Sequence, residues 1–178
     1  DQQSPAFSKE YDEIKLWNDG LLWVKNGSEE SVLTQSLNEW IKPGRQQITQ
    51  TFFGAMSKTS AGYVLHDRRA GPSQNYYRVK VQQPWVLVQQ EGEWHSIDLL
   101  TKKNLSPTFD SVGFVGPFFA GVNEDTIKIH LDKNAAIELP RLARCQFLPG
   151  KDSLFFLLIE ETDRKVVYNT RAEKLFTV

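Results

Sequence analysis

The sequence predicts an all-β protein of about five tandem repeats of short antiparallel strands. Three observations predict it. A start pattern recurs at Tyr11, Arg45, Tyr76, Phe109 and Leu142, at spacings of 34, 31, 33 and 33 residues. A near-constant period of this length marks a repeat architecture. The apolar segments are short, aromatic and β-branched. Some alternate, as Ile127, Ile129 and Leu131 do against Lys128, His130 and Asp132. Turn-forming groups separate them, among them Asn18-Asp19-Gly20, Asn26-Gly27-Ser28, Glu91-Gly92-Glu93, Asp132-Lys133-Asn134 and Pro149-Gly150-Lys151.

Each unit presents its elements in the same order. It opens with the start segment. Tyr11-Asp12-Glu13-Ile14 and Phe109-Asp110-Ser111-Val112 match closely, and Tyr76-Tyr77-Arg78-Val79 matches less well. Arg45-Gln46-Gln47-Ile48 and Leu142-Ala143-Arg144-Cys145 keep only the apolar fourth place. Two residues further stand Leu16, Gln50, Val81, Phe114 and Phe147, four of the five apolar. An apolar run follows: Leu21 to Val24, Phe52 to Met56, Trp85 to Val88, Phe118 to Val122 and Leu154 to Leu158. After a polar turn comes a further strand-like segment: Ser31 to Leu33, Gly62 to Leu65, Trp94 to Ile97, Thr126 to Ile129 and Lys165 to Tyr168. A short closing segment ends at Pro43, Pro72, Pro107 or Pro140 in four units. Proline lacks a ladder donor, which suits a strand end or connection. The best helical stretch, Ser36 to Lys42, is short and lies where a closing strand belongs.

One such unit cannot bury its own apolar face, so neighbouring units must build the core together. An open repeat array is favoured over a small closed five-bladed propeller. Units near 33 residues are short for propeller blades, which usually run ~40–50 residues. The expected organisation is a flexible N-terminal segment, 1–10, and a single repeat domain, 11–178. The expected units are 11–44, 45–75, 76–108, 109–141 and 142–178. An open array must blunt its ends, and the polar first ten residues could cap one.

With 21 basic and 22 acidic residues among 178, the chain lacks the basic surplus that nucleic acid or an anionic membrane surface attracts. The longest apolar run, Leu154 to Ile159, is far short of the roughly 20 residues a membrane-spanning helix needs. No basic region followed by an apolar stretch opens the chain. A start at Asp1 without Met and a polar first decade lead to the expectation of a trimmed or mature N-terminus. The expected location is secreted or cell envelope, with the cytoplasm as the alternative. The single Cys145 excludes an intramolecular disulfide framework.

The repeat resembles the WG, or KWG, repeat family. The family unit reads roughly as aromatic-Asp-x-apolar, an apolar strand after a glycine, Gly-Lys-Trp-Gly-Tyr-Ile-Asp, and an apolar-Pro close. The third unit holds the clearest copy, with Gly92-Glu93-Trp94-His95-Ser96-Ile97-Asp98 and then Asn104-Leu105-Ser106-Pro107. The second unit keeps Gly62-Tyr63-Val64. The first and fourth keep the start and the glycine-led strand, Gly20-Leu21-Leu22 and Gly116-Pro117-Phe118-Phe119. The chain departs from the family in having no Trp-Gly dipeptide. The resemblance, which covers about Tyr11 to Val178, implies a structural or binding module, often bacterial, without common catalytic residues.

The candidate chemistry is sparse. His66 and His130 fall at equivalent repeat positions two units apart, so no metal centre is expected from them and His95; exposed strand or turn histidines are the default. Adjacent carboxylates at Asp12/Glu13, Glu29/Glu30, Glu124/Asp125 and Glu160/Glu161 fall mostly in expected turns, facing solvent rather than across a cleft. Cys145 takes a place held elsewhere by Ile14, Ile48, Val79 and Val112, and reads as a small core residue. Trp23 and Trp85 belong to the apolar runs and read as core. Trp94 takes the family's tryptophan position and reads as structural. Trp17, Trp40 and Tyr77 remain as candidates for contact with a partner, because aromatic faces stack on sugar rings or anchor proteins. No catalytic residue, cofactor or metal is expected. The expected function is a non-catalytic module of a bacterial envelope or secreted protein that holds a protein or glycan. The alternatives are a carboxylate-dependent glycan hydrolase and a purely structural spacer.

Overall fold

Short apolar segments separated by tight turns pair most readily with their chain neighbours, and every sheet here is built that way. A computed structural model of the chain describes residues 10–141, 143–149, 155–160, 164–169 and 171–177. Among these there is no helix. The first sheet contains β1 (Glu13–Leu16), β2 (Leu22–Asn26), β3 (Glu29–Leu33) and β4 (Glu39–Gly44). The second contains β5 (Gln47–Thr51), β6 (Gly54–Thr59), β7 (Gly62–Asp67) and β8 (Gly71–Tyr76). The third has β9 (Arg78–Gln82), β10 (Trp85–Gln90) and β11 (Glu93–Ser96). The fourth has β12 (Ser111–Val115), β13 (Phe118–Val122), β14 (Thr126–His130) and β15 (Ala136–Pro140). The fifth has β16 (Arg144–Pro149), β17 (Phe155–Glu160), β18 (Lys165–Asn169) and β19 (Lys174–Thr177). The strands lie in chain order within each sheet, and no sheet closes into a barrel.

The fold is therefore all-β and repetitive, one small antiparallel sheet per sequence unit. The stretch Ser36 to Lys42 enters β4 rather than a helix. Its proline and those of β8 and β15 sit on closing strands at a sheet edge, where a missing N–H breaks no inner ladder. The third unit closes differently. Its last segment makes only two isolated bridges, Ile97 with Asn104 and Trp94 with Phe109. The segment 1–9, the residue Leu154 of the fifth apolar run and the Gly150-Lys151 part of its turn lie outside the described residues.

The chain divides into two compact units, 1–75 and 76–178, at the start of the third repeat. Each packs its sheets face to face in chain order. In the first unit, Trp23, Val32 and Ile41 of the first sheet share a buried cluster with Ile48 and Ala55 of the second. In the second unit, Trp85, Leu87 and Trp94 of the third sheet meet Val112 and Phe119 of the fourth, with Phe109 between. The far face of the fourth sheet then supplies Phe118, Ala120, Ile129 and Ile137 to a cluster that holds Ile159 and borders Cys145 and Phe147 of the fifth. The side-chain alternation of a strand makes this possible, because central strands such as β2, β10 and β13 carry apolar residues on both faces.

Gly121 in β13 shows how tight the second seam is. A Cβ there would run into the ring of Phe109, which packs edge-on against Phe119 at 6.2 Å. We predict that Gly121→Ala destabilises the chain by about 1–3 kcal/mol through this overpacking, measured by urea unfolding. Phe109→Leu in the same chain should recover part of the loss. Gly113, whose Cβ would meet nothing within 4 Å, is the control, and alanine there should leave stability unchanged or slightly raised.

Candidate functional site

The turns of the first unit gather an aromatic rim. The β1–β2 turn closes when Trp17 N–H donates to the Leu21 carbonyl at 2.8 Å and Gly20 N–H donates to the Trp17 carbonyl at 3.0 Å. Gly20 sits at φ +78, in the left-handed region, and the Gln35 side-chain amide occupies the place a Cβ would take. Trp17 is thereby held half-buried against the seam cluster. Trp40 borders the same cluster from β4. Its ring lies over Gly54, whose Cβ would come to 2.9 Å of it, and it meets His66 edge-on at 6.2 Å. The next turn brings Phe52, which is exposed and packs edge-on to Phe53 at 5.2 Å. An ion pair between Asp19 and Arg68 ties the β1–β2 turn to the β7–β8 turn. Trp17 and Trp40 thus border one seam, with a charged pair beside them.

Of the three sequence-derived candidates, Trp17 and Trp40 are brought to one cluster, though as half-buried wedges rather than free-standing rings. Tyr77 belongs to the second unit, just before β9. It is 70% exposed, with the Arg78 guanidinium 5.5 Å from its ring centroid. Phe52 was hidden from sequence reasoning inside an apolar run, where the β5–β6 turn in fact begins.

Glu30 was also missed. The pair Glu29/Glu30 starts β3 rather than lying in a turn. Glu30 Oε2 accepts from Trp23 Nε1–H at 3.0 Å and from the Ile48 N–H at 2.7 Å. One carboxylate therefore anchors the core tryptophan of one sheet and the first strand of the next. In the second unit Trp85, which opens the central strand β10, donates its Nε1–H to the Pro117 carbonyl at 2.9 Å.

The histidines are not surface residues as expected; His95 and His130 are buried and His66 half-buried. His66 and His130 occupy matching register positions, opposite Ala55 and Phe119, on the face that the preceding sheet covers. His66 Nε2 is 2.9 Å from Ser57 Oγ. His130 stacks flat on Phe119, with centroids 4.4 Å apart and planes at 5°, and has Trp85 and Phe109 at its edges. Its Nε2 is buried without a hydrogen-bond partner. Burial, with help from Lys128, lowers its pKa to about 4. His95 is also lowered by burial, partly offset by Glu93. Cys145 is half-buried beside Ala143, and burial raises its thiol to about 11. At neutral pH it is a thiol and no nucleophile. Among the described residues no three His, Cys, Asp or Glu side chains converge as metal ligands.

In the second unit Glu93, Asp110, Glu124 and Asp125 line one open depression of about 470 Å³. All four carboxylates are exposed. Glu161 of the last adjacent pair lies outside the described residues. No described helix is long and apolar enough to cross a membrane.

No family model matches the chain, and no curated protein matches it. Solved structures of Hsv2 from Kluyveromyces lactis are distantly similar. One is 9% identical with a TM-score of 0.40, covering 95% of this chain and 63% of that one. Another, described as having a complete loop 6CD, is 10% identical with a TM-score of 0.39, covering 89% and 59%. The chain thus spans about three-fifths of the length of these proteins.

The burial of His130 makes stability pH-dependent. Its folded pKa of about 4 lies below the ordinary 6.5, so the unfolded chain takes up the proton first as pH falls. Its contribution is complete above pH 6.5 and is lost as pH falls toward 4. We predict that between pH 7 and pH 5 the chain loses about 2 kcal/mol more stability than a His130→Phe variant, by urea unfolding at each pH.

Proposed function

We propose that this chain is a non-catalytic binding module of the WG-repeat kind, which holds a glycan or a protein segment on the aromatic rim of its first unit. The reading extends to a bacterial envelope or secreted setting, which rests on the resemblance to WG repeats. The observation that carries it is that half-buried Trp17 and Trp40 border one seam cluster, with exposed Phe52 in the turn that leads into Gly54, over which the Trp40 ring lies. Aromatic faces held by a scaffold present contact area with little side-chain entropy left to lose. The Asp19–Arg68 pair beside them offers hydrogen-bonding groups for a polar ligand. Sugars fit this chemistry best, since their ring faces stack on aromatics and their hydroxyls seek such polar groups.

A hydrolase is the second reading, favoured by the four carboxylates around the depression in the second unit. Their exposure argues for solvated side chains instead. Replacing Glu124 by Gln separates the two readings, because only a hydrolase would lose turnover of a glycan substrate.

The test is a tryptophan-fluorescence titration against a glycan panel that includes cell-wall fragments. We predict a saturable shift with at least one glycan. Phe52→Ala should weaken it about 10-fold while leaving every tryptophan in place. Trp17→Phe and Trp40→Phe should weaken it while keeping the seam filled. No shift with any glycan would transfer the proposal to a protein segment, to be sought by pull-down. A shift indifferent to all three variants would sink the rim as the site.

A further inference from the structure

One ladder position is filled very differently in successive sheets. It lies one residue past the apolar fourth place, where the first strand of a sheet pairs with the central strand. The pair is Lys15 with Trp23 in the first sheet, Lys80 with Leu87 in the third and Gly113 with Ala120 in the fourth. In the first two cases large side chains fill the seam with the following sheet. The Trp23 indole packs with Ile48 and Ala55, and the Lys15 ammonium stands 4.6 Å from its ring centroid. Leu87 packs with Val112 and Phe119, and Lys80 Nζ crosses to donate to the Val112 carbonyl.

In the fourth sheet the same pair offers a single methyl group. Ala120 belongs to the cluster that holds Ile159 of the fifth sheet, and a Cβ on Gly113 would meet nothing within 4 Å. The facing wall is small as well, with Ala143 and Cys145 at the start of β16. Between these walls lies a depression of about 390 Å³, floored by Val122, Ile127 and Ile129. No charged side chain lines it. Its polar side chains are the exposed Ser111 and the half-buried Cys145.

We propose that this depression binds a small uncharged aromatic molecule of about indole size. Its volume falls within the ~300–1,000 Å³ of small-molecule sites. Its lining offers no partner to an ionised group, so a charged ligand would give up hydration without return. A ring is the shape that fits, because the Trp23 indole occupies the equivalent ladder position between the first and second sheets. Two sheets of this repeat therefore already enclose a bicyclic ring at that place, and here the chain leaves the ring out. Apolar cavities take up benzene-sized molecules in this way. The Ser111 hydroxyl at the mouth can pair with a ring N–H or hydroxyl.

Indole itself is the probe, titrated into the full chain by isothermal calorimetry. One-to-one binding is expected. At ten times its Kd, indole should slow alkylation of Cys145 by iodoacetamide about 10-fold, since only the unoccupied fraction remains open to the reagent. Ala120→Leu, which restores the side chain that Leu87 supplies in the third sheet, should abolish indole binding and leave the thermal midpoint at or above the wild-type value. Gly113→Val fills the same space from the neighbouring strand and should do likewise, so the test stands if either variant folds. No binding of indole to the wild type overturns the proposal. So does binding that persists in the folded variants, or bound indole that leaves the alkylation rate of Cys145 unchanged, either of which would place the indole elsewhere on the chain.

Discussion

Everything in this protein depends on the seam between one small sheet and the next. A four-stranded meander with apolar side chains on both faces has no inside of its own. It gains one only when a neighbour covers it, at about 25 cal/mol for each Å² of apolar surface removed from water. The clusters around Trp23 and Ile48, around Trp85 and Phe119, and around Ile129 and Ile159 are therefore the core, distributed as layers between sheets. The central-strand tryptophans fill the first two layers, and each also places its indole N–H. Trp23 donates to Glu30 and Trp85 to the Pro117 carbonyl, so no buried donor is left unpaired at either ring.

The sequence made the layers legible because period, phase and alternation agree with one another. Three of the four prolines, Pro43, Pro72 and Pro140, marked closing strands, the glycine turns marked hairpins, and the tryptophans of the apolar runs lie in the core as the pattern required. What it left illegible depends on which face a neighbour covers. His130 reads as the polar partner in an alternating strand, yet its face lies under the third sheet, so it is buried against Phe119. Ile14 reads as core by equivalence with Ile48 and Val112, yet it is exposed on the edge strand β1. Alternation tells which residues share a face and is silent about what that face meets. Glu30 was illegible for a similar reason, since its two donors come from Trp23 and from the following sheet.

The aromatic rim inherits its rigidity from the seam. Trp17 and Trp40 touch the same cluster that holds the first two sheets together, and Gly54 leaves the space into which the Trp40 ring fits. A contact surface built this way is already ordered before any ligand arrives, which limits the entropy lost on binding. It also couples stability to recognition. Substitutions that loosen the seam should move the rim, and a ligand that grips the rim should stiffen the seam.

The strictly sequential strand order has a consequence for how the chain is made. Each described strand finds its ladder partners immediately before and after itself in the chain, so contacts are local and loop-closure costs are small. A sheet can zip up as soon as its last hairpin has left the ribosome, and it then offers a finished template to the sheet that follows. Assembly can thus proceed by accretion, with each new layer recruited by the one already formed and few long-range searches needed along the way.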